Sequence, residues 1–128
     1  MKKFILLILP ILLTLSSCEK NEYIVPNRTI LVTLGAGNWI SSAGGRNYLA
    51  AIDVPEIDSY FNDYGAVLVY ASFGNHVYEQ IPEVYDGVSY SFSHKPGQIV
   101  IEIQSSDGKT VISPPGNVTI KVVLLESK

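Results

Sequence analysis

The chain has 128 residues, 47% of them hydrophobic, and twelve Asp and Glu against nine Lys and Arg give a formal net charge of −3. This length accommodates one ordinary core, and an acidic balance without a basic block excludes the electrostatic footprint of a nucleic-acid binder. A single cysteine, Cys18, excludes intramolecular disulfides.

Lys2 and Lys3 precede a nearly unbroken apolar run from Phe4 to Leu13, the layout of a secretory signal. The run is shorter than the about 20 apolar residues of a spanning helix, and Pro10 interrupts it. Leu15-Ser16-Ser17-Cys18 resembles a bacterial lipobox, in which a branched apolar residue and two small ones precede a cysteine. The resemblance implies cleavage after Ser17, a diacylglyceryl group on the sulfur of Cys18, and acylation of the new amine. At roughly 0.8 kcal/mol per buried CH₂, one chain holds marginally and two or three hold stably. The expected organisation is a signal peptide over residues 1–17, a lipidated cysteine and tether over 18–27, and one β domain over 28–128. Without Lys2 and Lys3, seven basic residues face twelve acidic ones. The polar stretch from Glu19 to Asn27 spans about 30 Å at most when extended, so the domain is expected close to its membrane.

From Arg28 onward the apolar residues mostly alternate, the signature of strands. Ile30, Val32 and Leu34 predict a first strand. Trp39 to Ser42 and Arg46 to Ile52, separated by Ala43-Gly44-Gly45, predict a hairpin. Pro55 to Tyr64 predicts one helix. Pro55 suits its first position, Glu56 and Asp58 favour its positive end, and Ile57, Tyr60, Phe61 and Tyr64 share one apolar face. Gly65 is expected to stop it in a left-handed conformation. Strands resume with Val67, Val69, Ala71 and Phe73, then from His76 to Ile81, with Pro82 ending the run. Val88, Tyr90 and Phe92 alternate with serines after an Asp86-Gly87 turn, and Ile99, Ile101 and Ile103 follow Lys95-Pro96-Gly97. The last strand, Val118 to Leu125, is apolar at nearly every position and is expected to be central and covered on both faces. Seven or eight short strands with one short helix predict an all-β fold, a single β-sandwich of the Ig-like or Greek-key type.

Trp39, Val54-Pro55-Glu56-Ile57, Gly65-Ala66-Val67-Leu68-Val69-Tyr70, Ile81-Pro82 and Ile120-Lys121-Val122-Val123-Leu124 resemble the pattern of small Bacteroidota-type lipoproteins with a C-terminal all-β domain. The resemblance implies an address and a fold, with no activity attached. The Gly-X-Y triplets of some such proteins are absent from this sequence.

Asp53, Glu56, Asp58 and Asp63 lack EF-hand spacing and read as helix-end charge and solvation. His76 and His94 have no metal-ligand spacing, and no Gly-x-Ser-x-Gly elbow is present. No catalytic residue, metal or cofactor is therefore expected. The leading expectation is a lipid-anchored lipoprotein of the cell envelope, at the outer membrane. It would act as a non-catalytic interaction or accessory module for an envelope protein, with the membrane as partner through Cys18 and no nucleic acid. The alternatives are a carbohydrate-binding module using exposed aromatics, with Trp39 and Tyr78 as candidates, and a small hydrolase using His76 or His94.

Overall fold

The computed structural model describes residues 27–127. The expected signal peptide over residues 1–17 and Cys18 lie outside them. The strands are β1 (Arg28–Leu34), β2 (Ile40–Ser42), β3 (Asn47–Asp53), β4 (Ala66–Ser72), β5 (Glu79–Gln80), β6 (Glu83–Tyr85), β7 (Val88–Lys95), β8 (Gln98–Ser105) and β9 (Val118–Leu125), with one helix, α1 (Ser59–Tyr64). They form two antiparallel sheets, ordered β1-β9-β4-β5 and β2-β3-β8-β7-β6. The fold is an all-β sandwich, as the alternation predicted.

Period-two patterning builds the core directly. Ile99, Ile101 and Ile103 of β8 are fully buried, as are Val69 of β4 and Ile120 and Val122 of β9. Each such side chain contributes about 1.5–3 kcal/mol relative to exposure. Two turns fix register through backbone sign. Asp86 and Gly87 have φ of 48° and 73°, the mirror-image turn that matches strand twist, and they set Tyr85 opposite Val88. Pro96 followed by Gly97 at φ 82° sets Lys95 opposite Gln98.

The helix is shorter than its apolar pattern suggests. Asp58 is the N-cap, its carboxylate accepting from the Phe61 amide at 2.7 Å, so α1 begins at Ser59. A capping carboxylate competes effectively with extension toward Pro55. Only Ile57 and Phe61 of the expected face are buried, whereas Tyr60 and Tyr64 are 65% and 62% exposed. Gly65 has an extended backbone, φ −81° and ψ 178°, rather than a left-handed one. Its role is close approach: a Cβ there would lie 2.7 Å from the Phe61 ring.

Two strands also differ from expectation. The run expected from His76 to Ile81 is reduced to Glu79–Gln80, because Asn75 and His76 both sit at φ 54° and prolong the turn. The chain then bends at Ile81-Pro82 and passes from one sheet to the other as β6. β9 is central, between β1 and β4. Only Val118, Ile120, Val122 and Leu124 are buried, while Thr119, Lys121, Val123 and Leu125 are half-buried by flanking strands.

The sandwich has two distinct ends. At one, Arg28 opens β1 and pairs with Glu56 at 3.2 Å, beside α1 and the Pro96-Gly97 turn. At the other, Leu34 pairs with Val118 and Ser72 with Thr119, which places the start of the Gly74 to His76 turn there. Six residue steps of β1 separate the ends by roughly 20 Å.

Candidate functional site

At the end remote from Arg28, three aromatic rings meet between the sheets. Phe73 leaves β4 and stacks on Tyr85 of β6, with centroids 3.8 Å apart and planes 3° from parallel. Tyr90 of β7 meets the same Phe73 edge-on at 5.1 Å. Tyr90 is buried, Phe73 half-buried and Tyr85 41% exposed, so the cluster runs from core to surface.

Two grooves border the stacked pair. One, of about 250 Å³, is lined by Phe73, Gly74, Asn75, Val77, Glu79 and Tyr85. The other, of about 210 Å³, shares Phe73 and Tyr85 and adds Asp86, Val88, Tyr90 and Pro115 among its walls. The two grooves share the walls Phe73 and Tyr85 and make up the cleft.

Glu79 lines one groove and Asp86 the other, whereas Glu83 lines neither. Glu79 sits opposite Ala71, and Glu83 opposite Tyr90, so pairing gives both carboxylates the parity of buried residues. Burial and then the Glu79 charge raise the Glu83 carboxyl above its ordinary value. Glu83 Oε1 is buried with no hydrogen-bond partner in the described structure. Burial first, then the charges of Tyr85, Glu83 and Asp86, push the Tyr90 phenol up to about 12. No Lys or Arg lines either groove.

The residues singled out from sequence lie elsewhere. Trp39 is only 7% exposed and belongs to the core, so it presents no aromatic face to a ligand. Ala50 of β3 lies in the same buried cluster. Tyr78 is half-buried on the outer face, where the Lys121 ammonium lies 4.2 Å from its ring and 4.5 Å from that of Tyr70. That cation already occupies one aromatic face of each ring. His94 Nδ1 lies 2.8 Å from Asn62 Oδ1, and His76 lies in the exposed turn after Gly74. Neither histidine lines the two grooves. Among the described residues, no three His, Cys, Asp or Glu are placed to hold a metal ion, and no helix is long and apolar enough to cross a membrane.

The Phe73–Tyr85 relationship has no counterpart in local periodicity. It arises because the chain changes sheets at Ile81-Pro82, bringing the residue after β4 over the last residue of β6. A proline between two short apolar runs was its only sequence signal. No protein-family model, curated protein or solved structure matches the chain.

Proposed function

We propose that this chain is a lipid-anchored, non-catalytic interaction module of the cell envelope, held at the outer membrane through Cys18. Its binding surface is the aromatic cleft around Phe73 and Tyr85. The observation that carries this reading is polarity: Arg28, nine residues after Glu19, and the cleft stand at opposite ends of the sandwich. A short tether from Cys18 to Arg28 would hold the α1 end toward the lipid and turn the cleft toward other envelope components. Exposed or half-exposed aromatics in a concave site supply the stiff contact area from which interface hot spots are made.

Fractionation of cells carrying the Cys18→Ala change tests the anchor. The expected result is loss of the protein from the membrane fraction, and undiminished membrane retention would refute lipid attachment at this residue. Site-directed photo-cross-linking from position 85, with position 64 at the other end as the control, tests the cleft. Cross-links to an envelope protein are expected from position 85 only, and equal yields from both positions would defeat the polarity argument.

A further inference from the structure

We infer that Tyr60 and Tyr64 of α1 dock onto the lipid surface itself, in the headgroup layer of a zwitterionic membrane. This deepens the interaction-module reading and rests on it for the lipid on Cys18.

The two rings are largely exposed and lie against each other, with centroids 4.8 Å apart and planes 39° from parallel. Neither ring anchors the helix, a task that falls to Phe61 in the core and to the Asp58 cap. Their position singles out the occupant. Arg28 pairs with Glu56, and Glu56 and Tyr60 line the same small pocket with Glu126, just past the end of β9. The chain between Arg28 and Cys18 therefore starts beside these tyrosines. It contains only residues 19–27 and spans about 30 Å at most. A lipid surface holding Cys18 is thus kept within reach of α1, whereas the Phe73–Tyr85 end stands roughly 20 Å further off.

Chemistry selects the same partner. Tyrosine joins an apolar ring to a polar hydroxyl, and such side chains concentrate in the headgroup layer of a membrane, where one end is dry and the other wet. Two rings are too small a surface to hold a free domain, but a tether raises the local lipid concentration until weak contacts are occupied. Charge sets the kind of lipid. Glu56, Asp58, Asp63 and Glu126 lie at this end against two basic residues, Arg28, itself paired with Glu56, and Lys95 beside the Gly97 turn that bonds to Ile57. Within a Debye length of about 10 Å such a surface is repelled by anionic headgroups and not by zwitterionic ones. Docking makes α1 the underside of the domain and keeps the Phe73–Tyr85 cleft facing away from the lipid.

The test couples the isotope-labelled chain from Cys18 onward, the form left by cleavage after Ser17, to maleimide-bearing lipid in phosphatidylcholine nanodiscs. Cys18 is the only cysteine, so this tether forms whether or not cells acylate it. NMR line broadening by a nitroxide on the lipid headgroup is then read residue by residue. Amides from Ser59 to Gly65 are expected to broaden at least about threefold more than those from Gly74 to Val77, which lie roughly 20 Å away. Tyr60→Ser combined with Tyr64→Ser should remove about half or more of the α1 broadening and leave the core resonances in place. Replacing part of the phosphatidylcholine with phosphatidylglycerol should also reduce it. Should the double change disturb α1, Tyr64→Ser alone supplies the comparison from the last turn. Equal broadening in parent and variants would mean that the tether alone brings α1 near the lipid. Greater broadening on phosphatidylglycerol would mean that charge makes the contact, and broadening that follows the number of chains per disc would identify a second copy as the occupant. Each of these outcomes overturns the docking. A coupled chain that fails to dock, while Cys18→Ala still releases the protein from cell membranes, loses this contact and keeps the anchor. One that docks when coupled but stays in membranes after that change loses the anchor alone.

Discussion

Phe73 lies flat on Tyr85 at 3.8 Å although the two rings leave strands of different sheets. The stack therefore ties the sheets together at one end of the sandwich, where β5 and β6 contribute only two and three residues of pairing.

Replacing either ring should loosen that end, and the two losses should not add. Offset aromatic pairs contribute about 0.5–1.5 kcal/mol beyond the area they bury. A double-mutant cycle of Phe73→Ala and Tyr85→Ala, followed by urea unfolding, is expected to give a coupling of about 1 kcal/mol. Additivity within about 0.3 kcal/mol would mean that the rings merely coincide. Phe73→Ala should be the costlier single change, because its ring also meets Tyr90 and is less exposed than that of Tyr85.

Gly65→Ala should destabilise the domain by about 1–3 kcal/mol through overpacking. The backbone there is extended and accepts alanine, so the whole effect comes from the Phe61 ring, 2.7 Å from the new methyl. Phe61 is buried and cannot swing into solvent without opening the core under α1. In a Phe61→Leu background the same glycine change is expected to cost less than half as much. Equal costs in both backgrounds would locate the strain elsewhere.

These residues mark how far sequence reaches. Alternation identified β7, β8 and β9 and their buried sides, since a strand needs only its own period and a wet or dry face to declare itself. The Asp86-Gly87 and Pro96-Gly97 turns were equally legible, because positive φ restricts residue type locally. Trp39 is ambiguous in sequence because its size suits both a core and a ligand platform, and only the packing of two sheets places it in the core. Tyr60 and Tyr64 were misplaced because helical spacing defines a face without saying how wide a stripe the sheet can cover. The cleft depended on β4 and β6 meeting across the sandwich, a contact between sheets that no window of neighbouring residues contains.

The long connection after β8 should weaken in acid. Asp107 Oδ1 accepts from Ser105 Oγ at 2.9 Å and from the amides of Lys109 and Thr110 at 2.8 and 2.9 Å, and Thr110 Oγ1 donates to Oδ2. Donation from Thr110 first, then from Lys109 and Ser105, holds the carboxyl well below its ordinary value of 3.8. A depressed folded value contributes stability that is complete above the unfolded value and fades as pH falls below it. The Thr110 amide shift is expected to stay constant from neutral pH to about pH 4 and move only below that. Asp107→Asn should weaken the loop at pH 7, and the difference from the parent should shrink as acid removes the parent's charge. A Thr110 amide that titrates near pH 4 in the parent would show that these bonds do not hold the carboxylate.

At the alkaline extreme the sign reverses, and the group concerned is Tyr90. Burial, reinforced by Tyr85, Glu83 and Asp86, raises its phenol from 10.0 to about 12. The folded state therefore binds this proton more tightly than the unfolded state. Its contribution is complete below pH 10 and is lost as pH climbs through the folded value. Absorbance titration of the eight tyrosines should show a step near pH 12 that disappears in Tyr90→Phe. The same substitution should leave stability at pH 7 within about 1 kcal/mol of the parent, because the ring stays in the core and only a hydroxyl is removed. It should also flatten the loss of stability between pH 10 and 12, since the unfolded chain no longer gains by ionising this phenol. A Tyr90→Phe protein whose alkaline unfolding midpoint matches that of the parent would show that burial does not hold this phenol above its ordinary value.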